Sequence, residues 1–412
     1  MISLENIFNK INGYRDEIIR LQSELTSRPA LSPENGGTGE HDKAEFIRSL
    51  MESLKPDLLD EIRAPDERAR GGYRPSLLAK WGQNQKAPAV WSLGHMDVVP
   101  PGDLSLWETD PYQVEVKGDK IIGRGVEDNQ HGIISSFLAL KAIIDSGEEI
   151  KRPIGLICVA DEETGSKFGL DYLLRHHQDY FKEDDLIIVP DYGREDGSMI
   201  EVAEKSMLWL KFTVKGRQCH ASTPHKGRNT LYGAARMIVA LQALKEKFAD
   251  RNPLFRPKTS TFEPTKIEAN VPNINTIPGM DVFYLDCRIL PDYDVSGIIQ
   301  EAKKIVDDIA QELELEVKLA PTYQQDAVNP TPVDAPVVKA LSQAIKDVIG
   351  IEASPTGIGG GTVAAFFRQA GLQAAVWSTL QDTAHQPNEY CLISDIMSDA
   401  KVFAHLFMNV NG

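Results

Sequence analysis

The chain has 412 residues, 42% of them hydrophobic, and a formal net charge of −16 at pH 7. This length predicts two domains or one domain with a sizeable insertion. The acidic balance and the lack of clustered Lys and Arg argue against a nucleic-acid-binding protein. No stretch of the sequence approaches the roughly 18 uninterrupted apolar residues that a membrane span requires.

Cysteine usage and the first residues indicate where the protein is found. Cys158, Cys219, Cys287 and Cys391 show no C-x-x-C spacing, which predicts free thiols in a reducing compartment. The start, M-I-S-L-E-N-I-F-N-K-I, has helical periodicity and lacks the basic and apolar regions of a signal peptide. We therefore expect a cytoplasmic protein.

Apolar spacing predicts the helices and strands that precede His95. Spacings of three and four predict an amphipathic helix over residues 3–27, and a second helix is expected over 43–54. Strand-like pieces follow at 76–81 and 89–93. The second of these strands ends just before Gly94 and His95.

The histidine and the aspartate behind this strand suit a metal site. Ligand sites of open α/β sheets lie at the C-terminal ends of the strands. A side-chain period of two places His95 and Asp97 on one strand face, and a carboxylate so placed can hold the second nitrogen of a metal-binding imidazole. The same His-x-Asp spacing is also common where no metal binds, so later segments must decide.

Acidic residues follow the next elements. Asp128 ends a G-R-G-V-E-D turn before an apolar helix over 132–144, a position suited to bridging cations. A buried strand is predicted over 154–160, and it is followed by three acids, D-E-E, which repel one another unless a cation compensates. The alternative is a helix N-terminus, where acids favour the dipole. The apolar run 186–190 leads to Asp191 in the same way.

The pattern changes at residue 206. Alternating polar and apolar residues predict half-buried strands, and the order β-α-β-β-α-β matches a small ferredoxin-like domain. We predict that this domain, residues 206–321, is inserted into an α/β catalytic domain formed by 1–205 and 322–412. The catalytic domain is expected to have a mostly parallel sheet with helices on both faces. The predicted elements of the insertion are strands over 206–216, 261–270, 281–290 and 315–320, and helices over 231–248 and 295–313.

The last part of the chain returns to the catalytic domain. A helix is predicted over 337–349, followed by a glycine-rich loop, T-G-I-G-G-G-T, at 356–362 that opens another helix. A strand over 374–378 and a loop with A-H-Q-P-N-E come next, so His385 also follows a strand of the parallel sheet. A terminal helix ends the chain.

The polar groups behind these strands form a set that can bind two metal ions. Mixed imidazole and carboxylate ligation suits zinc or a similar divalent ion, and two ions sharing Asp128 would polarise a carbonyl and lower the pKa of a bridging water. Glu162 remains as a carboxylate beside that water, suited to act as general base and then as acid. The predicted ligands are His95, Asp128, Glu163, Asp191 and His385.

Seven ordered motifs carry a resemblance to a known family. They are G-H-M-D, G-R-G-V-E-D, D-E-E-T-G-S, the Asp after V-P, G-R-Q-C-H-A-S-T-P, N-I-N-T-I-P-G and A-H-Q-P-N-E. In this order they resemble the dinuclear zinc aminoacylase and carboxypeptidase family, which includes acetylornithine deacetylase, succinyl-diaminopimelate desuccinylase and several dipeptidases. The match covers nearly the whole chain.

The resemblance implies roles for the metal-site residues. His95 and Asp191 would hold one zinc ion, Glu163 and His385 the other, and Asp128 would bridge the two, with cobalt or manganese as other candidate metals. Asp97 would orient His95. Glu162 would be the general base and acid that works with a metal-bridging hydroxide to cleave an amide bond.

The resemblance also implies roles in the inserted domain, which forms a homodimer in the family. His220 would reach the partner's active site and stabilise the oxyanion, Asn275 would contact substrate, and Arg288 would bind a substrate carboxylate. The loop with Gly360, Gly361 and Thr362 would offer backbone N–H groups to an anion. Alternatively, His220 serves only its own loop, and Arg288 pairs with the nearby Asp286 or Asp292.

Departures from the family pattern bear on the substrate, expected to be a small N-acyl amino acid or a short peptide. The glycine loop continues as G-G-T-V-A-A-F, so Val363 and Ala365 stand where relatives commonly carry an acid and an arginine. This weakens assignment as a succinyl-diaminopimelate desuccinylase unless Arg368 substitutes. Asp191, where deacylases usually carry Glu, favours a peptide-like substrate. A non-catalytic binding relative is the alternative of another class, which the complete ligand set disfavours.

Overall fold

The computed structural model describes residues 2–409. The helices are α1 (Ile2–Asn12), α2 (Arg15–Thr26), α3 (His41–Ser53), α4 (Gln130–Asp145), α5 (Leu170–His177), α6 (Thr230–Ala240), α7 (Ala243–Lys247), α8 (Val295–Glu312), α9 (Pro336–Ile349), α10 (Ala364–Gln369) and α11 (Ile393–Met408). Within the described residues, no helix is both long and apolar enough to cross a membrane.

The strands alternate with these helices along most of the chain. They are β1 (Leu58–Pro65), β2 (Tyr73–Trp81), β3 (Val90–His95), β4 (Glu115–Lys117), β5 (Lys120–Ile122), β6 (Ile154–Val159), β7 (Leu186–Val189), β8 (Met199–Glu204), β9 (Ser206–Lys215), β10 (Cys219–His220), β11 (Thr261–Ile267), β12 (Thr276–Ile277), β13 (Met280–Ile289), β14 (Glu316–Gln325), β15 (Ser354–Ile358), β16 (Ala374–Val376) and β17 (Tyr390–Leu392).

The chain forms two compact units. The first comprises Met1–Val202, Pro330–Pro355 and Thr362–Gly412, and the second comprises Ala203–Asn329 and Thr356–Gly361. The second unit therefore starts a few residues before the predicted insertion and ends after it. It also takes in part of the glycine-rich segment.

The large sheet has the order β1-β2-β6-β3-β7-β16-β8-β15. Its centre is parallel, because β3 pairs in parallel with both β6 and β7, and β16 pairs in parallel with β7. Antiparallel pairs flank this centre on both sides. The predicted class, an α/β fold with a mostly parallel sheet, is confirmed.

Helices cover both faces of the large sheet. The central strands are buried along their whole length, as their continuous apolar sequences predict. On one face, Trp91 and Leu93 of β3 pack in a cluster with Leu173 of α5 and Phe367 of α10. The helix α4 contacts β3 and also packs against α11.

Two predicted helices are each split. The predicted helix over 3–27 is broken at Gly13, where α1 ends and α2 begins two residues later. Gly13 donates its N–H to Lys10 O at 2.9 Å, and glycine commonly terminates helices. The predicted helix over 231–248 becomes α6 and α7, because hydrogen bonds near Gln242 tighten to i→i−3. Apolar spacing barely changes over one tight turn, so periodicity did not reveal these breaks.

The second unit has an antiparallel sheet of order β11-β13-β9-β14 with helices on one face. Its core packs alternate residues of β9, such as Leu210 and Phe212, against apolar residues of α6 and α8. Phe212 stacks on its cross-strand partner Phe283 with ring centroids 4.6 Å apart. This is the predicted β-α-β-β-α-β order, and the opposite face of the sheet lies outside that core.

Candidate metal centre and active site

Four adjacent parallel strands deliver the predicted ligands. The strands β6, β3, β7 and β16 are neighbours in the sheet, and each is followed by a predicted site residue. His95 is the last residue of β3, and Asp128 lies just before α4, which packs on β3. Because parallel strands end at the same edge, side chains far apart in sequence meet there.

The five predicted ligands converge around Asp128. His95 Nε2 lies 2.7 Å from Asp128 Oδ1 and 3.4 Å from Asp191 Oδ1. On the other side of Asp128, His385 Nε2 lies 3.1 Å from Asp128 Oδ2 and 3.1 Å from Glu163 Oε2. The two carboxylate oxygens of Asp128 therefore face two different histidines, each of which has a further acidic neighbour.

Glu162 lies in the same cluster. Potential ligand atoms of His95, Asp128 and Glu163 all lie within 4.8 Å of one another, and so do those of His95, Glu162 and Asp191. The position of Glu162 therefore suits a general base beside the metal ions and also allows direct contact with a metal ion. These two roles differ in what removal of the carboxylate does to metal content.

Crowded charges shift the pKa values of these groups. Burial raises the pKa of Glu162 well above its usual value, although His95 opposes the rise. Burial and the charge of Asp128 raise the pKa of Glu163 to about 7. Burial alone would raise the pKa of Asp128, but hydrogen bonds with His385 and His95 lower it below its usual range. Hydrogen bonds with Asp128 and Glu163 raise the pKa of His385 to about 10. The cluster thus favours bound positive charge.

The donor set fits a pair of divalent cations. Two imidazoles and three carboxylates supply the nitrogen and oxygen ligands that zinc and similar ions take. His95 is buried, whereas the side chain of His385 is 55% exposed, so the cluster opens to solvent on the His385 side. His385 also has a left-handed backbone, with φ 65°, a conformation that non-glycine residues adopt mainly where the surroundings enforce it.

Asp97 holds the turn that carries the two glutamates. Because β3 ends at His95, Asp97 lies outside the strand, contrary to the shared strand face that the sequence predicted. Its carboxylate oxygens accept the N–H groups of Glu162 at 3.0 Å and Glu163 at 3.1 Å. Its carboxylate lies 3.5 Å from His95 Nδ1, and its main-chain oxygen is closer at 3.0 Å. Asp97 therefore contacts both His95 and the glutamate turn.

A buried ion network supports the same turn from behind. Asp161 precedes the turn with a left-handed backbone, φ 63°, and its carboxylate accepts Phe168 N–H at 2.9 Å. Arg74 Nη1 lies 3.4 Å from Asp161 Oδ1, and Arg74 also forms a two-bond contact with the fully buried Glu40. Asp161 therefore belongs to the support of the turn.

The sequence interpretation missed two supporting residues. Asn129 donates from Nδ2 to Asp191 Oδ1 at 2.7 Å and accepts the N–H of His95 at 3.3 Å, so it links two predicted ligands. Glu389 accepts the N–H of Asp128 at 3.1 Å and pairs with Arg124 at 2.5 Å. Both residues adjoin or end motifs that had been singled out, and that adjacency was the available signal.

The second unit holds His220 and Asn275 in neighbouring loops. His220 is exposed, and its Nδ1 accepts the Ser222 N–H at 3.1 Å, which leaves Nε2 directed away from that contact. Asn275 O accepts the N–H of Ala221 at 2.9 Å, and β10 pairs with β12 through His220 and Thr276. The structure thus brings His220 and Asn275 together, and their substrate roles stay predictions.

Arg288 is tied to its neighbours in the second unit. Its Nε and Nη2 contact Asp286 at 2.9 and 3.1 Å, and its Nη1 donates to Gly359 O at 2.9 Å. Of the two pairings weighed from the sequence, Asp286 is therefore the observed partner.

The two glycines of the predicted anion-binding loop differ in their surroundings. A Cβ added to Gly360 would meet nothing within 4 Å, whereas a Cβ added to Gly361 would lie 3.1 Å from Met207 Cε.

The glycine-rich segment is shorter than predicted. Thr356–Ile358 belong to β15, so only the residues after Ile358 form a loop. Thr362 Oγ1 accepts the Ala364 N–H at 3.2 Å, at the start of the six-residue helix α10. A helix this short offers little dipole, so the anion-binding role of this loop stays a prediction.

Arg368 does not substitute for the missing loop arginine. It is buried, and its guanidinium contacts Glu201 through two bonds of 3.0 and 2.8 Å. Nη2 also lies 3.2 Å from Ala374 O. These contacts hold the guanidinium in the interior of the first unit, where a buried carboxylate compensates its charge.

Comparisons with known proteins place the chain in a family. The profile of peptidase family M20/M25/M40 matches residues 92–409. A metallohydrolase of uncharacterized function from Methanococcus maripaludis is 41% identical over 410 residues, covering 94% of this chain and 98% of the relative. Succinyl-diaminopimelate desuccinylase from Acinetobacter baylyi is 25% identical over 391 residues, covering 94% and 97%.

A solved structure shows the same fold. The dipeptidase Dug1p from Saccharomyces cerevisiae superposes with a TM-score of 0.76 at 17% identity, covering 98% of each chain. The family profile spans most of the sequence and includes every residue that converges around Asp128. The chain belongs to peptidase family M20/M25/M40 and is a metal-dependent hydrolase.

Proposed function

We propose that the protein binds two zinc ions and hydrolyses the amide bond of an N-acyl amino acid or a short peptide with a free carboxylate. The observation that carries this proposal is the convergence of two imidazoles and four carboxylates, with Asp128 at the centre. Three of these carboxylates and both imidazoles are the proposed ligands, and Glu162 remains for proton transfer.

The metal assignments follow the contacts around Asp128. His95 and Asp191 would hold one ion, and His385 and Glu163 the other, with Asp128 between them. Divalent ions held by these residues would supply Lewis-acid chemistry, which polarises a substrate carbonyl and makes a water more acidic. The identity of the metal as zinc rests on the mixed nitrogen and oxygen donors.

Glu162 performs the proton transfers in this proposal. A carboxylate beside the metal site suits a general base, because it can accept a proton from water and release it again. Glu162 takes a proton from the attacking water and then gives it to the leaving amine nitrogen. Asp97 keeps Glu162 in place by accepting its backbone N–H. Arg288 is proposed to bind the free carboxylate of the substrate.

Replacing Glu162 with glutamine tests the base. Glu162→Gln keeps the size of the side chain but removes its basicity, so we expect hydrolysis to fall about 10⁴-fold while the protein still binds two metal ions per chain. Metal content by plasma mass spectrometry and turnover on N-acetyl amino acid and dipeptide panels measure the two quantities. Loss of one ion would show that Glu162 is a ligand, and retained turnover would remove it as the base.

A second candidate is desuccinylation of N-succinyl-diaminopimelate. It is favoured by the desuccinylases among the relatives, of which the Acinetobacter baylyi enzyme is 25% identical. The contacts of Arg368 with Glu201 weigh against it, because the arginine that could have held the succinyl carboxylate is engaged elsewhere. Faster turnover of N-succinyl than of N-acetyl substrates would favour this candidate. The complete set of Glu162 and five potential ligands weighs against a non-catalytic binder, which would not need to keep them.

Assembly and location complete the proposal. We propose a homodimer in which His220 of one protomer stabilises the oxyanion in the active site of its partner. We also propose a reducing compartment such as the cytoplasm, because the four cysteines are free and three of them are buried.

A further inference from the structure

The open face of the four-stranded sheet carries two aromatic rings, Trp209 and Tyr323, here named the aromatic shelf. Residues of β9 alternate between the core and the open face, so Trp209 lies on the face opposite Leu208 and Leu210. Trp209 is 43% exposed and Tyr323 is 37% exposed. Their ring centroids are 4.7 Å apart. Large aromatic surface is thus kept together outside the core of the second unit.

A β-bulge creates this ring pair. The register of β14 against β9 shifts between Pro321 and Tyr323, so Tyr323 rather than Thr322 lies opposite Trp209. Thr322 Oγ1 instead donates to Trp209 O at 3.3 Å. Bulges commonly redirect a side chain next to a functional site. Here the bulge directs a second ring onto the open face without adding to the core.

The aromatic shelf is joined to Arg288 by hydrogen bonds. Trp209 Nε1 donates to Asp286 Oδ2 at 2.7 Å, and Asp286 contacts Arg288 through two bonds. Asp286 lies directly opposite Trp209 and Arg288 is two residues on, so Trp209 and Arg288 are diagonal neighbours, with backbones roughly 7–8 Å apart. The charge of Arg288 also reaches Tyr323, where it opposes the rise in pKa that burial causes.

Arg288 retains capacity for an anion. A guanidinium has about five N–H groups, and the contacts with Asp286 and Gly359 use three of them. Within the described part of the chain, the remaining N–H groups of Arg288 have no recorded acceptor. A carboxylate taken at this position would place the rest of its residue beside the neighbouring rings.

We propose that the aromatic shelf binds the side chain of the substrate residue whose free carboxylate Arg288 takes, so that the enzyme prefers aromatic residues there. This inference rests on the proposed function and names the substrate class. Aromatic pairs gain from ring contacts beyond the area they bury, and Trp and Tyr supply rigid binding surface. The alternative is that a second copy of the chain covers the aromatic shelf. The centres of protein interfaces are depleted in charged residues, whereas the charged Arg288 and Asp286 adjoin these rings, so a substrate side chain is favoured.

Paired substrates test the aromatic shelf. We expect zinc-loaded wild-type protein to hydrolyse N-acetyl-phenylalanine at least tenfold more efficiently than N-acetyl-alanine. Trp209→Ala should lower kcat/KM for the phenylalanine substrate about tenfold, through KM, and leave the alanine substrate within twofold. Tyr323→Ala should act in the same direction. Tyr232→Ala, which removes an exposed ring from α6 outside the aromatic shelf, is the control and should change the hydrolysis of neither substrate.

Several outcomes would overturn the inference. Equal losses for both substrates, or unchanged selectivity in Trp209→Ala, would show that the rings do not contact the substrate side chain. A change in oligomeric state, measured by light scattering of the eluting protein, would assign the aromatic shelf to contact with a second copy.

A binding measurement separates this inference from the proposed function. If wild-type protein hydrolyses neither substrate, amide hydrolysis of such substrates is wrong, but calorimetry with L-phenylalanine and L-alanine still tests the rings. We expect L-phenylalanine to bind more tightly than L-alanine, and Trp209→Ala to reduce that difference about tenfold. Equal binding of the two amino acids to wild-type protein would contradict the aromatic shelf.

Discussion

The two units present their functional groups in opposite ways. In the first unit, the groups around Asp128 are buried or partly buried except for His385, and they are held by fully buried residues such as Asp97, Asn129 and Glu389. In the second unit, His220 and Trp209 are exposed and are held by a few local contacts.

This difference separates the residues that stabilise the protein from the residues that contact the substrate. Buried like charges need compensation, so the first unit devotes many hydrogen bonds to holding acids close together. Exposed groups cost little to replace, so the second unit can vary in what it recognises without endangering its core. Substitution of buried supporting residues should therefore lower stability, whereas substitution of the exposed functional groups in the second unit should change turnover or selectivity without affecting folding.

The largest effect on stability is expected at Arg368, deep in the first unit. Arg368→Met leaves Glu201 buried without its guanidinium, so the free energy of unfolding should fall by about 3–5 kcal/mol. Chemical denaturation measures this loss. The ratio of activities on N-succinyl and N-acetyl substrates should stay the same. A selective loss of N-succinyl turnover at unchanged stability would instead make Arg368 a substrate-binding residue. It would also contradict the division of roles between the two units.

An exposed residue of the second unit should change turnover but not folding. His220→Ala should lower kcat about 10²–10³-fold, because it removes the proposed oxyanion donor, at unchanged melting temperature. Mixing His220→Ala with Glu162→Gln protomers should restore activity, since one site of each heterodimer then contains both native groups. Verified heterodimers that remain inactive would rule out action across the dimer.

Asp97 tests the support of the glutamate turn. Asp97→Asn replaces one of the two oxygens that accept the N–H groups of Glu162 and Glu163, so metal affinity or kcat should fall about 10–100-fold. Metal titration and steady-state kinetics measure both. Asp103→Asn is the control, because Asp103 accepts the Ser105 N–H in an exposed turn and should leave both unchanged. Equal effects of the two variants would contradict the supporting role.

The smallest effect is a pH dependence from the second unit. Burial lowers the pKa of Lys205 to about 8, although its Nζ donates to Pro257 O and Thr259 O. The unfolded chain, with lysine near its usual pKa of about 10.4, binds more protons above pH 8. Stability should therefore rise with pH from about 8 to 10, by at most about 1.4 kcal/mol per pH unit.

Substitution isolates this contribution. Lys205→Met should abolish that part of the pH slope in denaturation curves, and Lys215→Met, at an exposed position of β9, should keep it. A slope that persists in Lys205→Met would assign the dependence to other groups.

Residues at strand ends could be predicted from the sequence, whereas their supports could not. His95 and Asp191 directly follow or end apolar runs, so the strand pattern alone placed them on one sheet edge. Glu389 ends a motif, but its partner Asp128 lies far from it in the sequence, and Arg74 reaches Asp161 from another strand, so the sequence does not show who pairs with whom. The break at Gly13 was missed because apolar spacing continues across it.

The most direct test is anomalous diffraction at the zinc edge from crystals grown with zinc. We predict two peaks per chain, one beside His95 and Asp191 and one beside His385 and Glu163, with Asp128 contacting both ions. A single ion remote from Asp128, or no bound ion in protein that hydrolyses amides, would contradict the account.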